Sequence, residues 1–311
     1  MSEQGIPRNT AAARHRSGAV AAVVMAPVKA KAPSWSGEAA RAMDGQALLR
    51  RMVGACLAQV EPNAAAIVQG SRDPEHVHQL RVGLRRLRAA ARGMAPFAAA
   101  LPPGWEPAVM PVFEALGRSR DRFVRATMLA PKLRAAGAAF VDPAPDSEAQ
   151  ARALASRVGG ARFADVVRRL RAFADARPVD VGDGTGLARL VERLRTLSRQ
   201  VTRQARHFDD LPFEAQHGVR KRLKRLRYLA EFAAPAFAPA DVRRWLRCVS
   251  RAQDALGKHV DRALAERHFA ALAVRRPDVW FAVGWLRAKS RRSGRAARKA
   301  LLRLREVDGF W

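Results

Sequence analysis

The sequence predicts an all-α fold of two similar helical bundles related by internal duplication, a pseudo-twofold. Three observations carry this expectation. From Met43 onward Ala, Leu and Arg dominate, all strong helix formers, while β-branched and aromatic residues are scarce and no alternating strand pattern persists. Clusters of Pro and Gly cut the chain into about nine or ten helix-length segments. A pair of motifs also occurs twice in the same order, with its internal spacing kept to within one residue.

Along the chain, residues 1–42 are rich in Ala, Ser, Gly and Pro without helical period and are expected to form a disordered N-terminal tail. Within it SGAVAAVVMAP (17–27) follows Arg14 and Arg16 and faintly resembles the apolar part of a signal peptide; we read it as an Ala-rich leader. Residues 43–311 are expected to form one helical domain, with repeat halves at about 43–180 and 181–311. Breaks are expected at 70–74, 102–111, 131, 137–145, 178–186, 209–212, 235–239 and 277, where Pro and Gly gather. Two helix starts are well signed. Asp73 can cap, Pro74 suits the first helical position and Glu75 suits the positive helix end. Asp210 and Pro212 can do the same for a later helix.

Each of those starts leads into a basic helix. HQLRVGLRRLR (78–88) carries four Arg and HGVRKRLKRLR (217–227) six Arg or Lys, and neither contains an acid. On a helix His78, Arg81, Arg85 and Arg88 fall within an arc of roughly 80°. His217, Arg220, Lys224 and Arg227 take the same four offsets. Leu80, Leu84 and Leu87, matched by Val219, Leu223 and Leu226, form the apolar stripe. Arg86, Lys221 and Arg225 widen the basic face. A solvated face usually mixes signs to gain i,i+4 pairs, so two acid-free stripes in register read as an anion-binding surface.

The second motif follows each stripe. LGRSRDRFV (116–124) begins 38 residues after His78, and LGKHVDRAL (256–264) begins 39 after His217. Asp121 and Asp261 are thereby paired, and we read them as orienting Arg or His rather than as general bases. His78 and His217 can donate to a phosphate oxygen or serve as structural hydrogen-bonders, and the sequence leaves both open.

Composition narrows the partner class. The chain has 57 Lys and Arg against 28 Asp and Glu, a net +29, almost all of it Arg, which binds phosphate bidentately. Such an excess destabilises the compact state unless an anion offsets it, which points to nucleic acid, anionic membrane or polyphosphate. Cys56 and Cys248 have no CxxC spacing and read as small hydrophobes in a reducing compartment. No apolar run reaches the roughly 18–20 residues of a membrane span. His76 and His78 point to different faces, no helical metal pair occurs, and GDGTG (182–186) lacks P-loop spacing. We therefore predict no catalytic residue, metal or cofactor.

At these motifs the chain resembles the CHAD family, the conserved histidine α-helical domain. HQLRVGLRRLR and HGVRKRLKRLRYLAEF resemble its two His-x-x-Arg signature helices, and LGRSRDRFV and AQDALGKHVD its two LG segments. GARFADVVRRL and the closing DGFW resemble lesser family features. The resemblance covers about residues 43–311. It implies two helical bundles around a basic central groove or pore that holds inorganic polyphosphate without catalysis, and association with polyphosphate granules in the cytoplasm. The implied binders are His78, Arg81, Arg85, Arg86, Arg88, Arg120, His217, Arg220, Lys221, Lys224, Arg225 and Arg227. Val82 stands where the second half has Lys221, and Val260 where the family usually has Asn, so the halves are expected to bind unequally. Nothing resembles the triphosphate tunnel domain fused to some members, so the chain reads as a stand-alone module. The alternatives are non-specific nucleic-acid binding and, third, a polyphosphate-processing phosphohydrolase.

Overall fold

A computed structural model of the chain describes residues 25–139, 146–176 and 184–311. Those residues form eleven α-helices and no strand, as the helix-forming composition dictates. In the first part α2 (Gly45–Val68) packs on α3 (Pro74–Gly93), α3 on α4 (Trp105–Val124), and α7 (Ala161–Asp175) on both α2 and α4. In the second, α8 (Thr185–Arg203) packs on α9 (Phe213–Ala233), α9 on α10 (Pro239–Ala273), and α11 (Trp280–Arg305) on α10. The parts meet where α3 packs on α9 and α2 on α8. Each basic helix is thus an inner helix of the assembly, with neighbours on several sides.

The expected apolar stripes are core. Leu80, Leu84 and Leu87 of α3 and Val219, Leu223 and Leu226 of α9 are fully buried in one cluster that runs through both parts. Each contributes about 2 kcal/mol of burial, which is what holds two strongly cationic helices together. A smaller apolar cluster joins Leu133 of α5 (Ala130–Ala135) to Phe269, Val283 and Leu286 at one end of α10 and α11. The closing Phe310 and Trp311 stack edge-on against Trp245 of α10, at 5.5 and 4.8 Å. Cys56 is buried, with its thiol pushed up to about 12 by burial, and both cysteines are free.

The local signals fare unevenly. Asp73 caps α3 as expected, its carboxylate accepting the Glu75 N–H at 2.8 Å with Pro74 in the first turn. Asp210 does not cap α9. Pro212 itself holds the N-cap position, which leaves the Asp210 carboxylate in the preceding 3-10 turn, too early to reach the helix N–H groups. Pro111 lies inside α4, whose start is set instead by Gly104 at φ 72°. Pro131 does not end the helical run either. A π-helical turn, Arg125–Leu129, carries the chain from α4 into α5 with Pro131 in the first turn of α5, where its missing N–H costs nothing.

The expected tail is corrected over residues 25–42. Asn63 of α2 accepts from Val28 N–H and donates to Val28 C=O, at 3.2 and 2.8 Å. Trp35 is buried and stacks on Phe232 of α9 at 6.3 Å. Ser36 caps α1 (Gly37–Ala42), and Arg41 donates to the Ala236 carbonyl. The apolar weight of Trp35 outvotes the Ala-Gly-Pro composition around it. The leader at 17–27 lies mostly outside the described residues, as do parts of the breaks at 137–145 and 178–186. Gly186, from the GDGTG stretch, packs so near α2 that a Cβ would stand 2.5 Å from the Asp44 carbonyl oxygen. That glycine is a packing device.

Trp35→Ala is therefore expected to lower stability by about 3–5 kcal/mol in chemical denaturation. A change under about 0.5 kcal/mol, the size of an ordinary surface substitution, would show that this segment is not part of the folded core.

Candidate anion-binding cluster between α3 and α9

Leucine packing fixes how α3 and α9 face each other, and the contact is close. A Cβ on Gly93 would stand 2.6 Å from the Leu229 side chain. The cationic stripes follow from that packing. On α3, Arg81 and Arg85 lie over the ring of Phe113 from α4, at 4.8 and 5.9 Å. Each such cation–π contact offsets part of the cost of crowding, by about 0.5–2 kcal/mol. Gly117 lies beneath Arg81, and a Cβ there would be 3.0–3.2 Å from the guanidinium. On α9, Arg220 passes Gly257 in the same way, 3.9 Å from where a Cβ would sit, and donates to Asp261 at 3.0 Å. The LG motif now has a physical account. Its Leu is core, its Gly clears a path for the signature Arg, and in the second copy its Asp holds that Arg one turn later. Asp121 attracts Arg81 but forms no ion pair with it among the described residues.

The stripes meet at Lys224. Burial, then Arg85 and Arg220, with Asp261 opposing, then Arg81, push its ammonium down to about 6. Arg81 is pushed down to about 10, first by burial, then by Arg85, against the pull of Asp121. His78 is held below its ordinary value by burial, then by Arg120, with Arg85 and Lys224 adding to it and Glu75 opposing. His217, edge-on to Phe213 at 5.9 Å, is lowered by burial and then by Lys221, Arg220 and Lys224, with Glu214 opposing. Two guanidinium donors here, Arg81 Nη1 and Arg220 Nε, are buried without a partner among the described residues. The fold thus brings together His78, Arg81, Arg85, Arg120, His217, Arg220, Lys221 and Lys224. It gives them little negative charge.

Four of the expected binders lie elsewhere. Arg86 is 1% exposed, hydrogen-bonded to Gln59 at 3.3 Å and set over the Phe232 ring at 5.0 Å, so it is a core residue. Its position falls roughly 100° round the helix from Arg85, which turns it into the α2 contact. Arg88 is paired with Glu106 at 2.8 Å. Arg227 is tied to Glu231 and Gln253, at 2.8 and 3.0 Å. Arg225 points away from Lys224. The charges that act most on it are those of Arg92, Arg193, Arg88 and Arg222.

The remaining histidines of interest are structural. His76 is buried against Asn63 at 3.1 Å, and His259 is buried between Ser293 and Gln216, at 3.1 and 2.8 Å. No group of three His, Cys, Asp or Glu side chains among the described residues could hold a metal ion. No helix among them is long and apolar enough to cross a membrane. Sequence reasoning missed Phe113, the platform beneath three arginines. Its one available signal is an aromatic one turn before Leu116.

An all-helical fold with an inner pair of His-x-x-Arg helices, each flanked by an LG helix, defines a recognisable class. The chain belongs to the CHAD family: the CHAD domain model matches residues 51–270. The crystal structure of the CHAD domain from the plant Ricinus communis has the same fold, with a TM-score of 0.70 at 24% sequence identity. The match covers 89% of this chain and 96% of that one. Among curated proteins none matches in sequence.

The burial of Arg86 separates packing from charge. Arg86→Ala is expected to lower stability by about 2–4 kcal/mol, because it opens a cavity beside Phe232. Arg86→Met, which fills the space without a charge, is expected to leave stability equal or higher. Denaturation midpoints check both, and a large loss in Arg86→Met would contradict the placement.

Proposed function

We propose that this chain is a non-catalytic binding protein for inorganic polyphosphate, held in the cluster between α3 and α9. The observation that carries the reading is uncompensated, partly buried positive charge. Arg81, Arg85, Arg120, Arg220, Lys221 and Lys224 are gathered against four carboxylates, Asp121 and Asp261 beside the arginines and lysine and Glu75 and Glu214 beside the histidines. A flexible chain with about one negative charge per phosphate can follow two such stripes and satisfy the orphaned donors of Arg81 and Arg220. Charge-assisted hydrogen bonds and release of counterions then drive binding, as for other polyanions. Family membership supports the same ligand, and on this reading the protein coats polyphosphate granules. The recurrence of basic helix and LG helix in one order supports reading the two parts as copies of a single unit.

The protein's residues act on the ligand by position and charge. His78 and His217 are neutral at pH 7 in the free cluster, since burial and cations hold both below their ordinary values. Each can still donate one N–H. An arriving polyanion favours the protonated form of both and of Lys224. Binding therefore recruits charge that the empty cluster has shed.

Replacing Arg81, Arg85, Arg220 and Lys224 together by Gln is expected to abolish long-chain polyphosphate binding while the circular dichroism of the helices is retained. Undiminished binding would overturn the site. In the same titrations, affinity should fall with rising salt, duplex DNA at equal phosphate concentration should fail to compete, and no phosphate should be released with Mg²⁺ or Mn²⁺. Effective competition by DNA would favour a nucleic-acid protein, and phosphate release an enzyme.

A second expectation is proton linkage. Between about 6 and the ordinary value of 10.5, folded protein holds fewer protons at Lys224 than the unfolded chain. Stability of the free protein should therefore rise with pH across that window, and the Lys224 penalty should be greatest below about 6. Anion binding reverses the shift, so polyphosphate binding at pH 8 should take up protons. Calorimetry in two buffers of different ionisation enthalpy reads this directly. Lys224→Gln should remove most of the uptake, and no buffer dependence in the unsubstituted protein would refute it.

A further inference from the structure

Outside the α3–α9 cluster, a second set of cations lacks an anion. It lies where one end of α3 meets α8, with Arg225 of α9 nearby. A cavity of about 310 Å³ there is lined by Arg92, Arg189, Arg193 and Glu192, with Gly93, Pro96 and Thr196 completing the wall. Arg225, from the α8-facing side of α9, is crowded by Arg92, Arg193, Arg88 and Arg222. None of these is among the charges that act most on Lys224, and only Arg88 adjoins the central cluster, over the Phe113 ring it shares with Arg81 and Arg85.

Partners divide this set. Arg88 and Arg92 share Glu106, at 2.8 and 2.7 Å, Arg189 pairs with Glu192 at 2.6 Å, and Arg222 donates to Gln204 at 2.6 Å. Arg193 and Arg225 have no ion pair or hydrogen bond among the described residues. The Nε donors of Arg193 and Arg222 are buried and unsatisfied. Buried guanidinium donors without acceptors are rare in folded proteins and call for an explanation. Arg86 provides the contrast. It holds the same helical offset on α3 as Arg225 on α9, yet it is closed off from solvent between Gln59 and the Phe232 face, with its Nε left unsatisfied. Arg225 is only half-buried, beside arginines that line the cavity.

We propose that this cavity, at the seam of the two parts of the fold, is a second anion site for a compact phosphate anion of the pyrophosphate or triphosphate type. In and beside it Arg88, Arg92, Arg189, Arg193, Arg222 and Arg225 against Glu106 and Glu192 leave a local excess of four positive charges, the charge of a short condensed phosphate. Arg193, which lines the cavity, makes the direct contact, with Arg92 closing the mouth and Arg225 adding its charge from α9. The phosphate groups come either from a short condensed phosphate or from the end of a longer chain. The inference rests on the arginine geometry here and does not require the central cluster to bind polyphosphate.

Tripolyphosphate titrated into the full chain by calorimetry tests the site. The comparison uses the unsubstituted protein, Arg193→Gln/Arg225→Gln, and the central Arg81→Gln/Arg220→Gln/Lys224→Gln variant. The outer double variant should lose one binding event, or weaken it roughly tenfold or more, as expected for the loss of a charge-assisted contact and a neighbouring charge. The central variant should retain that event. Relief of repulsion should also raise the melting temperature of the unliganded outer variant, which guards against misreading an unfolded protein. Unchanged stoichiometry and affinity in the folded outer variant would overturn the proposal. Loss of binding in the central variant alone would do the same. Loss in the outer variant alone would uphold it even if the central reading failed. A parallel titration with long-chain polyphosphate separates the sources. Weakening confined to tripolyphosphate assigns the site to short condensed phosphates, and weakening of both assigns it also to the end of a longer chain.

Discussion

The structure depends on apolar packing that holds like charges together. Two unit charges a few ångströms apart near a protein surface repel by about 3–4 kcal/mol. The stripes of α3 and α9 contain several such pairs, and nothing within either stripe neutralises them. The Leu80–Leu84–Leu87 and Val219–Leu223–Leu226 stripes supply the opposing force, at about 2 kcal/mol per buried side chain. The remaining tension is relieved locally. Phe113 spreads its ring beneath Arg81, Arg85 and Arg88, Asp261 holds Arg220, and Lys224 gives up its proton near neutrality. Each relief is partial, since Arg81 Nη1 and Arg220 Nε remain without acceptors among the described residues.

That constraint also explains why equivalent positions diverge. Arg86 and Arg225 hold one offset on two basic helices. Around Arg86 the neighbours are Gln59 and Phe232, which give a buried guanidinium one hydrogen bond and a ring cap while its Nε stays unsatisfied. Around Arg225 they are Arg92, Arg193 and Arg222, which cannot. A repeated sequence motif therefore specifies where a side chain starts, and the neighbouring helices decide whether its charge is consumed internally. The same holds for the LG segments, where Asp261 forms an ion pair with Arg220 and Asp121 forms none with Arg81 among the described residues.

Much of this was legible in the sequence because it follows from periodicity. Helix content, the apolar stripes, the Asp73 cap and the gathering of His78, Arg81, Arg85, His217, Arg220 and Lys224 all derive from offsets within one helix. What was not legible depends on a second element. Glu106 is an ordinary surface acid until α4 brings it to Arg88, whereas Glu231, one turn beyond Arg227 on α9 itself, was within reach of periodicity. Arg193 is one arginine among many on α8 until α9 places Arg225 beside it. Trp35 was lost in a stretch of low complexity because one large side chain hardly alters composition, although it is buried and stacks on Phe232 of α9.

Burial favours a thin, flexible anion over a bulky one. The donors that lack partners at the centre, Arg81 Nη1 and Arg220 Nε, are inside the helix contact rather than on its rim. The two helices pack closely, with Gly93 against the Leu229 side chain. A duplex presents its phosphates on a stiff, broad surface and could engage only the outer charges, such as the exposed Lys221. Outer contacts gain from counterion release whatever the polyanion. Only a ligand that reaches the interior also restores the proton on Lys224 and satisfies the buried guanidinium donors. The selectivity of such a site resides in its buried groups, and its raw affinity in the exposed ones.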